Sequence, residues 1–190
     1  MENDPILSFA SARAFEAWLS KNHKTSTGIW LKLTKAAHAK DPLTYPQVVD
    51  VVLCYGWIDG QKRKNDATSW LQRVLPRRPR SIWSKTNTEN ALRLMREKRM
   101  RPAGLAQIEA AKKDGRWKAA YDSGANSKIP EDFLKELRRD PKALAFFEGL
   151  NRANLYAITF RLQTAKKPET RERRMKQILK MMAEEKKFHP

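Results

Sequence analysis

Only one cysteine, Cys54, stands in 190 residues, so no disulfide can form within the chain. Its setting, Val51-Val52-Leu53-Cys54-Tyr55, predicts a small buried thiol kept reduced. Histidine is scarce too. His23, His38 and His189 lie far apart, with no paired Cys/His spacing, so no metal site is implied. The 7 glycines build no phosphate loop, no dinucleotide fingerprint and no nucleophile elbow. No apolar run approaches the roughly 18 residues of a membrane span. Met1-Glu2-Asn3-Asp4-Pro5 offers neither a basic leader nor an apolar stretch, which reads as a protein without a signal peptide, resident in the cytoplasm.

What is present in excess is positive charge. Lys and Arg number 39 against 21 Asp and Glu, a formal net charge of +18. Residues 1–60 carry 6 of each sign and are neutral. Residues 61–101 carry 13 basic and 3 acidic side chains. Such a field concentrates anions at the surface and speeds their arrival. An anionic small molecule, an acidic protein surface and nucleic acid are the partners it favours. Charge can also serve solubility alone. Hydrophobic residues at 41% are enough for a packed core.

Periodicity gives an α+β plan. Ser11 caps a helix to Asn22, with Phe15, Trp18 and Leu19 on one face. Ile29, Leu31 and Leu33 alternate along a strand from Ile29 to Lys35. Thr44-Tyr45-Pro46-Gln47 reads as a capping box, opening a helix to about Tyr55 that Gly56 ends. Two strands, Trp57 to Lys64 and Thr68 to Leu75, flank a turn at Asn65-Asp66-Ala67. Pro76 and Pro79 then force a loop. The expected sheet has three strands, antiparallel or mixed, with flanking helices. Beyond Pro102 every signal is helical: Pro102, Pro130-Glu131, Asp140-Pro141, Asn151 and Pro168-Glu169 each mark a start. Ser123-Gly124-Ala125-Asn126-Ser127 reads as a link between an α+β unit over 1–122 and a helical unit over 128–190, the two packed as one body. The tail from Glu184 to Pro190 is expected to fray.

Two constellations carry possible chemistry. Asp59, in Trp57-Ile58-Asp59-Gly60, stands at a strand start and runs into Lys62-Arg63-Lys64. It is a weak candidate for an acid or base; the plainer reading is a turn aspartate. The stretch from Pro76 to Asn87 gathers Arg77, Arg78, Ser81, Trp83, Ser84 and Asn87. Guanidinium forks, hydroxyls and a helix start are what phosphate binding requires. Trp57 and Trp83 would then border a ligand. The competing reading has Ser84 or Asn87 capping the helix and Trp83 filling the core. A second basic surface is expected on the last helix, from Arg171, Arg173 and Arg174, joined by Lys62, Arg63 and Lys64 on the hairpin.

These residues stand in a recognisable order. Phe15-x-x-Trp18-Leu19, Gly28-Ile29-Trp30-Leu31, Cys54-Tyr55-Gly56-Trp57-Ile58-Asp59-Gly60, Pro76-Arg77-Arg78-x-x-Ser81-x-Trp83-Ser84-x-x-Asn87, Met100-x-Pro102-Ala103-Gly104, Asp114-Gly115-Arg116-Trp117-x-x-x-Tyr121 and Glu169-Thr170-Arg171-x-Arg173-Arg174 together resemble the YdeI/OmpD-associated, or bacteriocin-protection (OmdA-like), family from about Phe9 to Leu179. The resemblance implies a stress or bacteriocin-protection role. It brings a porin partner in name only, no cofactor and no agreed catalytic residue. The leading expectation is a non-catalytic protein with a basic site for an anionic or phosphorylated partner. An enzyme acting on a phosphorylated or nucleotide-like molecule, and a non-specific nucleic-acid binder, are the alternatives.

Overall fold

A computed structural model describes residues 4–38, 42–123 and 128–190. The chain forms two compact units, Met1–Ala120 and Tyr121–Pro190. Residues 124–127 of the expected link lie outside the described residues.

The first unit is α+β. Its elements are β1 (Ile6–Leu7), α1 (Ala12–Asn22), β2 (Ile29–Thr34), α2 (Tyr45–Cys54), β3 (Trp57–Lys64), β4 (Ser69–Pro76), α3 (Lys85–Arg96) and α4 (Pro102–Lys113). The sheet has four strands, not three, in the order β1-β2-β4-β3. The extra strand is β1, which runs parallel to β2 with Ile6 opposite Trp30 and Leu7 opposite Leu31. Two residues are too few for alternation to announce a strand. Long-range contacts fix it instead. Trp30 N donates to Pro5 O at 2.9 Å, and Arg73 Nη2 reaches Asp4 Oδ2 at 2.7 Å.

Ser11 Oγ accepts from Ala14 N and starts α1 as the sequence implies. Thr44 N donates to Gln47 Oε1 at the head of α2, and Gly56 follows that helix with φ +71°. One sheet face packs Ile29, Leu31, Leu33 and Val74 against Phe15 and Leu19 of α1 and Val48, Val51 and Val52 of α2. Gly104 lets α4 lie directly on the end of α2: a Cβ there would stand 2.4 Å from Cys54 O and 2.7 Å from Leu53 O.

Register slips once. Asp59 pairs with Val74 but Lys62 pairs with Gln72, so β3 bulges at Gly60-Gln61. The Gln72 side chain, almost fully buried, donates from Nε2 to Gly60 O at 2.9 Å and Gln61 O at 3.3 Å. The bulge is thus satisfied from within the sheet.

The second unit is helical: α5 (Glu131–Leu137), α6 (Pro141–Glu148), α7 (Arg152–Gln163) and α8 (Pro168–Ala183). No strand occurs among the described residues beyond Pro102. Asp140 and Asn151 cap α6 and α7. Phe133, Leu137, Phe147, Ile158, Leu162, Ile178 and Met182 form the core. The tail does not fray. Asn154, fully buried, accepts from Phe188 N at 2.9 Å and His189 N at 3.0 Å, and donates to His189 O at 3.1 Å. Arg161 lies 4.1 Å from the Phe188 ring centre. A hydrophilic tail composition does not reveal a buried amide waiting for it.

Candidate anion-binding surface

The loop after β4 is built from its own polar groups. Arg77 N donates to Gly56 O at 3.1 Å, and Trp57 pairs with Pro76. The start of β3 and the start of the loop are therefore neighbours, as hairpin geometry predicts. Their side chains diverge. Asp59 Oδ2 accepts from the Tyr45 hydroxyl at 2.5 Å. Arg77, only 5% exposed, lays its guanidinium 3.7 Å from the Trp83 ring centre and donates to Ile82 O at 3.3 Å.

The two serines are turned to structure. Ser81 Oγ accepts from Arg78 N at 3.0 Å while Ser81 N donates to Arg78 O at 2.9 Å. Ser84 Oγ accepts from Asn87 N at 3.1 Å, so Ser84 is the cap of α3 and Asn87 lies inside the first turn. Trp83 is buried against Trp117, ring centres 5.0 Å apart. Trp57 is buried too; its Nε1 donates to His23 O at 3.1 Å.

Arg116 is the residue that composition and spacing gave no role. It is 5% exposed, pairs with Asp114 Oδ2 at 2.7 Å and donates from Nη1 to Ser81 O at 2.8 Å. A buried guanidinium thereby ties the α4 end to the loop. The Asp114-Gly115-Arg116-Trp117 run was the available signal, since Gly115 takes φ +78° and turns the chain back.

Exposed cations stand on the loop and, at the other end of the hairpin, on β3. Arg78 and Arg80 project from the loop, and Lys62, Arg63 and Lys64 from β3. Among the described residues no carboxylate forms an ion pair with any of the five. Lys62 Nζ lies 4.2 Å from the Trp70 ring centre and the Arg63 guanidinium 4.2 Å from that of Trp30. Asp66, at the hairpin turn, accepts from Thr68 N and Oγ1 at 2.8 and 3.0 Å. The Ser69 hydroxyl, with Thr68, holds its carboxyl well below the usual range, so it stays anionic.

Residues 7–107, more than half of the chain, match the family described as Domain of unknown function (DUF8412). The chain belongs to that family. Residues 126–185 match a second family, described as Bacteriocin-protection, YdeI or OmpD-Associated (OmdA). No curated protein and no solved structure matches. The expected resemblance over Phe9 to Leu179 therefore divides. The OmdA match covers the helical unit, whereas the Trp57–Gly60 and Pro76–Asn87 elements fall within DUF8412.

Within the OmdA segment the basic helix α8 is largely committed. Arg171 makes a fork to Asp132, 2.5 and 2.9 Å, whose guanidinium holds that carboxyl below its ordinary pKa. Arg174 Nη1 donates to Arg161 O at 2.7 Å near the end of α7. Arg173 is exposed. In the DUF8412 segment an open groove of about 280 Å³ is lined by Arg13, Glu16, Ala17, Ser20, Tyr55 and Arg101. It includes neither Asp59 nor any residue of the Arg77–Asn87 loop.

Proposed function

We propose that this protein is a non-catalytic binding protein of the bacteriocin-protection type, acting in the cytoplasm, whose basic surface engages an anionic or phosphorylated partner. The carrying observation is the set of five exposed cations, Lys62, Arg63, Lys64, Arg78 and Arg80, with no carboxylate partner among the described residues. Uncompensated cations attract anions more than paired ones do. Asp59 holding the Tyr45 hydroxyl, and Ser81 and Ser84 accepting backbone amides, support a binding role over an acid–base one. The anion meets Arg78 and Arg80, while Arg77 stiffens the loop beneath them by stacking on Trp83. A chain at +18 repels cationic peptides, so protection runs through an anionic intermediary rather than by sequestering them.

Titration of the full chain with inorganic phosphate and polyphosphate, followed by calorimetry and tryptophan fluorescence, tests the reading. Polyphosphate should bind at low salt and weaken steeply as salt rises. The R78A/R80A pair should weaken it by roughly three- to tenfold. No binding at low salt, or full binding by the variant, refutes the proposal.

A further inference from the structure

Among the described residues the order β1-β2-β4-β3 leaves β3 with a neighbouring strand on one side only. It is eight residues long, contains no proline, and its residues 60–64 are all exposed. Edge strands of this length are ordinarily blunted, since their unpaired amides and carbonyls template further pairing. Two blunting devices are visible here, and both are turned inward. The bulge at Gly60-Gln61 gives its carbonyls to Gln72 of β4. The cations lean away from the open side. Lys62 lies over Trp70 of β4, and Arg63 reaches across β4 to Trp30 of β2.

An exposed strand edge is therefore flanked by three cations distributed over both sheet faces. Lys62 and Lys64 pair with Gln72 and Trp70 on the side of Leu31 and Leu33, whereas Arg63 pairs with Leu71 on the side of Trp30. We propose that the open edge of β3 accepts an extended acidic segment of a partner protein, which joins the sheet as a fifth strand. This deepens, and rests on, the reading of an anionic partner above. Backbone pairing supplies affinity, and carboxylates on successive residues supply register by meeting Lys62 and Lys64 on one face and Arg63 on the other. Charge decides the occupant. A second copy of β3 would set Lys62, Arg63 and Lys64 against the same three cations. Nucleic acid would use stacked bases, yet the Trp30 ring is buried and Trp70 lies beneath Lys62.

The experiment uses the full chain and a short peptide of three consecutive glutamates flanked by threonines, with a copy N-methylated at every amide so that both of its edges are blocked. Both carry the same charge, but only the first can pair as a strand. Amide hydrogen exchange and fluorescence anisotropy are the readouts. The native peptide should bind and slow exchange across Gln61 to Lys64, and the K62Q/R63Q/K64Q variant should bind it about tenfold more weakly. The N-methylated copy should bind far less. Equal binding of the two peptides overturns strand addition while leaving the anionic reading intact if polyphosphate still binds. Failure of every anion to bind removes both. Protection of the same amides by oligodeoxythymidylate with the peptide inert, or by self-association without peptide, also overturns the proposal.

Discussion

Replacing Asn154 with alanine should cut the C-terminal tail loose from the helical unit. The amide holds Phe188 N, His189 N and His189 O, three backbone groups, from a fully buried position. Each neutral hydrogen bond contributes on the order of 1 kcal/mol net, so the three set a scale of about 3 kcal/mol. Detachment lets water satisfy the freed groups, which lowers the loss. It also withdraws the half-buried Phe188 from Arg161 and the core, which adds about 1 kcal/mol of lost burial. The expected destabilisation is about 2–3 kcal/mol. Hydrogen exchange of the intact protein measures it directly, as protection at Phe188 and His189 should fall by roughly 30- to 150-fold. Asn154→Asp keeps the acceptor, loses the donor to His189 O and buries a charge, so it should cost at least as much. Unprotected Phe188 and His189 amides in the wild type, or an Asn154→Ala loss below about 0.5 kcal/mol, would refute the reasoning.

Gly104→Ala should destabilise the first unit by about 2–4 kcal/mol in urea denaturation, because its Cβ meets the fixed carbonyls of Leu53 and Cys54 rather than a flexible side chain. Unchanged stability would show that α4 can slide. Arg116→Ala leaves Ser81 O without its donor and should cost about 2–3 kcal/mol, with a change in Trp83 and Trp117 fluorescence. Arg116→Lys should rescue poorly, since one ammonium cannot span Asp114 and Ser81 as the guanidinium does. Burial raises the Cys54 thiol to about 11, so alkylation of the folded protein should stay slow at pH 8 and quicken only toward that value or on unfolding. Rapid labelling at neutral pH would contradict the burial.

Much of the fold was legible because its elements are long and capped. Met175, Ile178, Leu179 and Met182 repeat at helical spacing, and Ser11, Asp140 and Asn151 sit where a cap must be. Ser84 and Asn87 are both good caps three residues apart, and only the end of the preceding loop decided between them. Arg77 was harder. An arginine in a basic run reads as surface, and only the nearby Trp83 ring made it an interior residue. The same blindness hid Arg116 and the Asn154 clasp, each of which acts on a residue some 35 positions away. Long-range polar contacts leave no period in the sequence.

The bulge at Gly60-Gln61 also sets the parity of β3. Odd-numbered Trp57 and Asp59 share the helix-covered face with even-numbered Lys62 and Lys64, because one surplus residue reverses the alternation between them. An unbulged register, with Gln61 opposite Gln72 and Lys62 opposite Leu71, would restore an unbroken zigzag and reflect the last three residues through the plane of the sheet. Lys62 and Lys64 would then face Trp30, and Arg63 would face Trp70, with composition and net charge unaltered. Register in this one stretch of strand, more than the identity of any side chain in it, fixes which side of the molecule each cation serves.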